Sequence, residues 1–258
     1  MEHKKEFDGF TLKMIAVVTM FLDHFGATVI ERMLIADQAG GVSQQLLVIY
    51  YILRGIGRLS FPIYCYLLVE GLYHTRSVSK YAFRLGIFAL ISEIPFDLAF
   101  NHVYGTGKWV EFGKNNIFFT LLIGLVTIWG MKWVNDHTRE ERFQKPILVL
   151  GKSVLNLSIL FAGMFVAEFL LHTDYGASGV AAIGVMYMLY TRPRLAFAGA
   201  VIALALLSSP LELCALVLVL FIGRYNGKRG RQMKYFFYAF YPVHLLLLEL
   251  ICIAMGLG

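Results

Sequence analysis

The sequence predicts an all-α protein, a polytopic membrane helix bundle with about nine transmembrane helices and a cytoplasmic amino terminus. Its residues are 58% hydrophobic and 16% charged, whereas an ordinary soluble domain has roughly 25% charged residues. Apolar runs long enough to cross a bilayer, about 20 residues, follow one another along nearly the whole chain. Lys and Arg gather in alternate connections between these runs, which is typical of a membrane protein with one fixed orientation.

Apolar runs bounded by charged residues, Gly or Pro define the individual spans. They must be helices, because a bilayer offers no partner to unpaired backbone groups, and continuous apolar runs exclude barrel strands, whose side chains would alternate. The sequence has no internal repeat, no low-complexity tract and no linker long enough to separate domains, so we predict a single integral membrane domain over residues 1–258. The predicted spans are 12–34, 46–73, 81–100, 116–134, 146–171, 176–190, 194–207, 210–223 and 235–256.

The distribution of Lys and Arg orients the spans. With the amino terminus inside, 18 of these residues lie on the inner side, three on the outer side and two, Arg54 and Arg58, within the second span. The positive-inside rule describes this bias, and we predict a multi-pass protein of the bacterial inner membrane with its carboxyl terminus outside. The outer residues are Arg32, Lys108 and Lys114, and the inner ones are Lys4, Lys5, Lys13, Arg76, Lys80, Arg84, Lys132, Arg139, Arg142, Lys145, Lys152, Arg192, Arg194, Arg224, Lys228, Arg229, Arg231 and Lys234.

Charge and cysteine patterns exclude other classes of protein. Because the excess of six positive charges follows the predicted topology, it indicates orientation, and no nucleic acid is expected as a partner. Cys65, Cys214 and Cys252 lie in apolar spans at spacings that match neither a zinc site nor a disulfide framework, so we expect packing roles and no metal. The first span follows basic residues as a signal peptide would, but Asp23 and His24 interrupt it and no A-x-A site follows. It should remain attached.

Several ionisable residues fall near the middle of predicted spans. Each charged group there costs roughly 2.5 to 3.5 kcal/mol on insertion scales. A chain that keeps several such groups is therefore expected to use them in its function. Asp23 and His24 lie halfway through span one, Arg58 halfway through span two, Glu93 past the middle of span three and His244 near the middle of span nine. Their similar depth makes contact possible, and we take Asp23, His24 and Arg58 as the candidate catalytic residues.

Asp23 and His24 need separate partners, because neighbouring residues on a helix diverge by about 100°. His24 shares a face with Lys13 and could line a path from the cytoplasm. Asp23 could orient a neighbour or pair with Arg58. The alternative is a purely structural ion pair between Asp23 and Arg58, with His24 as an interhelical hydrogen-bonding residue.

Glu93 and Asp97 stand one turn apart on one face of span three. They could position an acceptor or take its proton. Equally, they could neutralise Arg54 and Arg58.

Two further pairs of polar residues are candidates for contact with an acceptor. Tyr241 and His244 share a face of span nine, where His244 either hydrogen-bonds within the core or touches substrate. Asn115 and Asn116 open span four, where they either cap the helix or meet an acceptor outside the cell.

Basic residues gather at the cytoplasmic end of span two. His74, Arg76, Lys80 and Arg84, together with Lys13 of span one, could hold the phosphates of a cofactor, because Arg and Lys pair well with phosphate. The alternative is that they only anchor the spans on the inner side.

Six stretches of the sequence together resemble the TraX family, in order and spacing, over nearly the whole chain. The most specific parts are LDH at 22–24, GR-x-x-FP at 57–62 and SEIPFD at 92–97. The stretches are LKMIAVVTMFLDHFGA (12–27), LRGIGRLSFPIYCYLLVEGLYHTRSVSKY (53–81), RLGIFALISEIPFDLAF (84–100), NNIFFTLLIGL (115–125), DYGASGV (174–180) and FYPVH (240–244).

The resemblance implies an acetyltransferase, since the namesake of the family acetylates the amino terminus of the F-pilin subunit. More distantly, the first two spans resemble the membrane acyltransferases that include heparan-alpha-glucosaminide N-acetyltransferase and the acyltransferase 3 family. Those enzymes take an acyl group from cytoplasmic acyl-CoA and deliver it to an acceptor at or beyond the other face. An Asn or His near this part of span one is implicated in their chemistry, and here Asp23 and His24 stand in that region.

The leading hypothesis is therefore acyl transfer from acetyl-CoA to an amine or hydroxyl of an acceptor, which could be a protein amino terminus, a glycan or a small molecule. A neutral imidazole at His24 would serve as base at neutral pH, and Arg58 or Tyr241 would stabilise the oxyanion. An acyl-His intermediate is the alternative to direct transfer. One rival function is a proton-coupled transporter, but the sequence lacks the inverted repeat that such transporters often have. The other is a membrane scaffold. Membrane lipid is the remaining expected partner.

Overall fold

The computed structural model describes residues 6–37, 43–104, 113–138 and 146–257, which are almost entirely helical. The predicted all-α class is confirmed. Outside the helices, two isolated β-bridges join Phe7 to Tyr225 and Asn115 to Thr173. Some basic residues of the predicted topology lie outside the described ranges, namely Lys4, Lys5, Lys108, Arg139, Arg142 and Lys145.

Nine helical segments occur within the described ranges, and each corresponds to one predicted span. Five of them, α1, α2, α4, α5 and α9, are long and apolar enough to cross a membrane, and α6, α7 and α8 are shorter apolar helices. The segments are α1 (Gly9–Asp37), α2 (Gln44–His74), α3 (Val78–Tyr104), α4 (Ile117–His137), α5 (Pro146–Leu170), α6 (Gly176–Met188), α7 (Pro193–Leu207), α8 (Pro210–Ile222) and α9 (Lys234–Ala254).

Four of these segments depart from a regular α-helix, which the sequence did not predict. A π-helical turn, Gly26–Ile30, interrupts α1, and a second one, Val166–Leu170, ends α5. In α2 a turn at residues 58–59 separates Gln44–Gly57 from Ser60–His74. Most of α8, Pro210–Leu218, is a 3₁₀-helix. The π-turn in α1 directly follows His24 and Phe25. Since π-turns occur often at functional sites, it draws attention to the middle of this helix.

Local sequence explains where several helices begin. Asp8 caps α1 by accepting a hydrogen bond of 2.8 Å from the backbone N–H of Thr11, and this bond lowers the pKa of Asp8 below its usual value. Ser43 caps α2 and Asn116 caps α4 in the same way. Such oxygens satisfy the N–H groups that the first turn of a helix leaves without partners.

The chain forms two compact units, and α2 and α3 each run from one unit into the other. The first unit contains the described residues of Met1–Tyr64, Leu90–Glu111 and Ser209–Gly258. In it, the segment before α1 joins the connection after α8: the N–H of Glu6 donates to Arg224 over 3.0 Å, and the N–H of Gly9 to Lys228 over 2.7 Å. The two segments therefore lie at one end of the unit, as the predicted topology requires of two inner segments.

The second unit comprises Cys65–Ala89 and the described residues of Phe112–Ser208. Its core surrounds α6, whose residues are mostly buried, and it includes the fully buried Leu125, Ile183 and Phe197. The connections before α4 and after α5 meet, because the N–H of Asn115 donates to the carbonyl of His172 over 2.9 Å. The predicted topology places both of these connections on the outer side.

Candidate active site

Two histidines from opposite ends of the sequence meet inside the first unit. Nδ1 of His24, on α1, lies 2.6 Å from Nε2 of His244, on α9. The two rings are nearly coplanar, with an interplanar angle of 4°. The α9 residue is 3% exposed and His24 is half-buried. The sequence placed both at similar depth, and the structure brings them into hydrogen-bonding contact.

The backbone fixes the direction of this hydrogen bond. Nδ1 of His244 lies 2.7 Å from the carbonyl oxygen of Phe240, and since a carbonyl only accepts, this nitrogen carries the proton. In a neutral imidazole the other nitrogen is then an acceptor, so Nδ1 of His24 donates to Nε2 of His244. The remaining nitrogen of His24, Nε2, is left with its lone pair. That is the nitrogen a general base would use.

Aromatic rings surround the His24 imidazole. Phe100 of α3 and Tyr241 of α9 both contact it edge to face, with centroids 5.7 and 5.8 Å away. Glu93 and Asp97 precede Phe100 by two turns and one turn on the same face of α3, and both carboxylates are buried. The face of α3 that carries these two predicted residues therefore includes the ring that touches His24.

Asp23 points to a different set of partners, as the helical geometry predicted. Its two carboxylate oxygens each accept from one arginine, Arg54 and Arg58, at 2.8 Å. Arg58 continues the network, since its Nη1 lies 3.1 Å from Glu212, which is fully buried. The pairing of Asp23 with Arg58, one of the two alternatives for this residue, is thus present in the structure. The guanidinium of Arg58 lies between two carboxylates, which suits a role in holding α1, α2 and α8 together.

Close approach of α1 and α2 depends on Gly57. A Cβ atom at this position would lie 2.2 Å from both Cβ and Oδ1 of Asp23. Real Cβ atoms do not come so close, so any side chain at position 57 would push the two helices apart. Gly55, two residues earlier, has room, because a Cβ there would meet only Cys214, at 3.7 Å.

The variant Gly57→Ala should therefore destabilise the protein by about 1–3 kcal/mol, the usual cost of overpacking a tight interior. Gly55→Ala is the matched control and should change the free energy of unfolding much less. Unfolding in detergent micelles, followed by circular dichroism, measures both variants. Equal effects of the two substitutions would show that the contact between Gly57 and Asp23 does not limit the approach of the helices.

A second buried ion pair was missed in the sequence. Arg32, 6% exposed, pairs with Glu249 of α9 at 2.6 Å and donates to the carbonyl of Ala99 at 3.1 Å. In the predicted topology, Arg32 is one of the three basic residues on the outer side, and no role was predicted for Glu249. The available signal for Glu249, as for Glu212, was a lone carboxylate inside a predicted apolar span.

The predicted phosphate-binding residues fall in both units. Lys13 belongs to the first unit, where its ammonium lies over the ring of Phe237, 5.5 Å from the centroid. His74, Arg76 and Lys80 belong to the second unit and are exposed around the connection from α2 to α3.

Their neighbours in the second unit restrain two of the basic residues. His74 donates from Nδ1 to the carbonyl of Glu70 over 2.9 Å, and Arg84 lies over the ring of Tyr81 at 5.8 Å. Arg76 and Lys80 are the members of this group with the greatest freedom to meet a phosphate in solvent.

Asn115 and Asn116 also belong to the second unit, and both are buried. Asn116 caps α4 through its side-chain oxygen and donates from Nδ2 to the carbonyl of Ala89 over 2.8 Å. Asn115 donates from its side chain to the carbonyl of Leu171. Asn116 therefore has the capping role, and Asn115 links the connection before α4 to the connection after α5.

The fold and the site define a polytopic helical membrane protein with a histidine pair and buried ion pairs in its first unit. The family model described as "TraX protein" matches residues 8–252. The chain therefore belongs to the TraX family, which confirms the resemblance seen in the sequence motifs. It is 29% identical over 258 residues, covering 96% of this chain and 97% of the relative, to the "Probable fimbrial assembly protein FimC, serogroup H1" of Dichelobacter nodosus. No solved structure matches the chain.

Proposed function

We propose that this chain is an acyltransferase of the bacterial inner membrane, which moves an acetyl group from cytoplasmic acetyl-CoA to an amine or hydroxyl of an acceptor. The observation that carries the proposal is the hydrogen-bonded series from the carbonyl of Phe240 through His244 to His24. It holds one imidazole in a fixed tautomer and orientation, with a basic nitrogen left over. This is the arrangement by which a positioned base is recognised.

In the proposed reaction, Nε2 of His24 takes a proton from the N–H or O–H of the acceptor as that atom attacks the thioester carbonyl. The new bond to carbon forms, the carbon–sulfur bond breaks, and the leaving thiolate takes the proton back from His24. The products are the acetylated acceptor and free CoA. Tyr241, whose ring lies 5.8 Å from that of His24, would donate to the oxyanion, whereas Arg58 acts through the position of α1.

The acceptor is proposed from the family rather than from the site. The relative from Dichelobacter nodosus is named as a probable fimbrial assembly protein, so a subunit of a surface fibre is the first acceptor to test. Its free amino terminus and its surface hydroxyl groups are the two kinds of nucleophile that the proposed base would serve.

The test is transfer of radiolabelled acetyl from acetyl-CoA by the purified protein in detergent, with membrane extracts of the producing bacterium as a source of acceptors. We expect label in an acceptor and release of one free thiol for each acetyl group transferred. Label transfer that persists unchanged without the protein, or no thiol release with any extract, would contradict the proposal.

A proton-coupled transporter is the second candidate, because the first unit contains buried carboxylates, Asp23 and Glu212, and such groups can take up and release protons inside a membrane. Reconstitution in liposomes separates the two functions. Substrate counterflow without CoA favours the transporter, and acetyl transfer without counterflow favours the enzyme.

The exposed basic residues of the second unit should act on donor binding alone. If Arg76 and Lys80 hold the phosphates of acetyl-CoA, the variant Arg76→Ala/Lys80→Ala should raise KM for acetyl-CoA by about tenfold, because a hydrogen bond to a charged group contributes roughly 1.5–3 kcal/mol, less where solvent screens it. The value of kcat should stay near that of the unchanged protein. The control is Arg194→Ala, because Arg194 at the start of α7 is also exposed. An equally large rise in KM in that variant would show that the effect comes from general surface charge and not from a phosphate contact.

A further inference from the structure

A polar cavity of about 320 Å³ lies within the second unit, and the proposed reaction does not use it. It is formed by the segments just before α4, around the α5–α6 connection and at the end of α7, all of which the predicted topology places on the outer side. Its size reaches the lower end of the range for small-molecule sites, roughly 300–1,000 Å³. The polar residues that line it include Lys114, Glu168, His172, Thr173, Asp174 and Ser178.

Two features show that this cavity is a built site rather than a gap between loops. His172 is the one non-glycine residue in the described ranges with a positive φ, at 43°, a backbone conformation that costs energy and is often kept at ligand sites. Thr173, next to it, is 5% exposed, yet its hydroxyl has no hydrogen-bond partner in the described part of the chain. Buried polar groups are normally paired, so this hydroxyl indicates a missing ligand group.

The charges in the cavity have both signs. Lys114 lies 3.3 Å from Asp174, and both side chains keep partial access to solvent. Glu168 accepts from the N–H of Ala177 over 2.9 Å, so the carboxylate is held at the start of α6. Gly176 permits this approach, because a Cβ there would lie 2.0 Å from the Glu168 carboxylate. Two carboxylates and one ammonium suit a ligand that is itself zwitterionic, with its cationic group toward the carboxylates.

An apolar surface borders the same cavity. Leu207 lines it and is 56% exposed, and Phe169 and Leu170, which follow Glu168 in the sequence, are 64% and 61% exposed. Most side chains of α5 are exposed. Its buried residues, Leu160, Gly163 and Ala167, lie on the face that packs against α4 and α6, so the rest of the helix faces its surroundings. In a membrane those surroundings are acyl chains.

We propose that the cavity binds the headgroup of a zwitterionic phospholipid with a primary ammonium, of the phosphatidylethanolamine type. Lys114 contacts its phosphate, Glu168 and Asp174 accept from its ammonium, and the acyl chains lie along Leu207 and Phe169. A primary ammonium fits better than a quaternary one, because it donates three hydrogen bonds to carboxylates and hydroxyls, whereas quaternary ammonium groups are held by aromatic cages. The inference goes beyond the proposed acyl transfer and does not depend on it.

The test is lipid binding by the full chain in detergent, measured by native mass spectrometry without acetyl-CoA. We compare phosphatidylethanolamine, phosphatidylcholine and phosphatidylglycerol with identical acyl chains. We expect the first to bind at least about tenfold more tightly than the other two, since each lacks one of the proposed charge contacts or hydrogen bonds. Equal binding of all three lipids by the unchanged protein would overturn the proposal without any variant.

Variants then assign the site. Glu168→Gln should reduce the preference for phosphatidylethanolamine to less than about threefold, because it weakens the contact with the ammonium. Lys114→Met should instead weaken binding of all three lipids by a similar factor, about tenfold, because all three carry the phosphate. Lys132→Met is the matched control, because Lys132 forms a similar ion pair with Asp136 near the other end of α4. It should leave both the affinities and the preference intact. Soluble phosphoethanolamine distinguishes the two sources of the same headgroup: it should compete at least about a hundredfold more weakly than the lipid, because it lacks the buried acyl chains. Competition at equal concentration, a preference unchanged in Glu168→Gln, or lipid affinities unchanged in Lys114→Met would overturn the assignment to lipid at this cavity.

Discussion

The variant His24→Ala is expected to lower the turnover number for acyl transfer by about 10²–10⁴-fold, the contribution of a positioned general base. The reason is that Nε2 of His24 is the one nitrogen of the histidine pair left with a lone pair once the carbonyl of Phe240 has fixed the tautomer of His244. KM for acetyl-CoA should change little, since the donor phosphates are proposed to bind elsewhere. Initial rates of label transfer over a range of acetyl-CoA concentrations separate the two constants.

Two further variants make this prediction specific. His244→Ala keeps the base but removes the group that orients it, so we expect a smaller loss of roughly 10- to 100-fold, the range known for residues that orient metal-bound histidines. His137→Ala is the matched control: this exposed histidine of the second unit also donates from Nδ1 to a carbonyl four residues earlier, that of Trp133, at 2.8 Å. Full turnover by His24→Ala, or equal losses in His24→Ala and His137→Ala, would remove His24 from the mechanism.

The helix positions were predictable because each depends on local sequence. Lys234 begins α9 where a basic connection gives way to an apolar run, and Asn116 caps α4 with its own side chain. The breaks inside helices were not predictable in the same way. The turn at residues 58–59 and the π-turn at Gly26–Ile30 are held by packing between helices, which a single apolar run does not record.

The sequence indicated which residues belong to the candidate site, but only part of which residue contacts which. His24 and His244 are 220 positions apart, and their equal depth suggested contact, but the rotation of α1 and α9 about their axes decides which ring faces which. The same holds for Glu212 and Glu249, whose partners were not predicted. The two compact units share α2 and α3, so no linker in the sequence could have marked their boundary.

The network around Asp23 is expected to carry the largest effect on stability, through Arg58. The variant Arg58→Met removes the cation that faces Glu212, a carboxylate with no exposure to solvent. Breaking a buried pair from one side typically costs about 3–5 kcal/mol, because the remaining charge stays in a medium that solvates it poorly. Asp23 keeps Arg54 at 2.8 Å, so the loss should come mainly from Glu212. Unfolding in detergent, followed by circular dichroism, measures it.

The double variant Arg58→Met/Glu212→Leu shows whether that reasoning is right. If the cost arises from an uncompensated carboxylate, removing Glu212 as well should recover most of the stability, since apolar replacements of a buried ion pair are often neutral or better. Lys132→Met, which breaks the exposed pair with Asp136, should cost no more than about 1 kcal/mol. Additive losses in the double variant would mean that Arg58 and Glu212 contribute independently, and the ion pair between α2 and α8 would then not be what stabilises this part of the first unit.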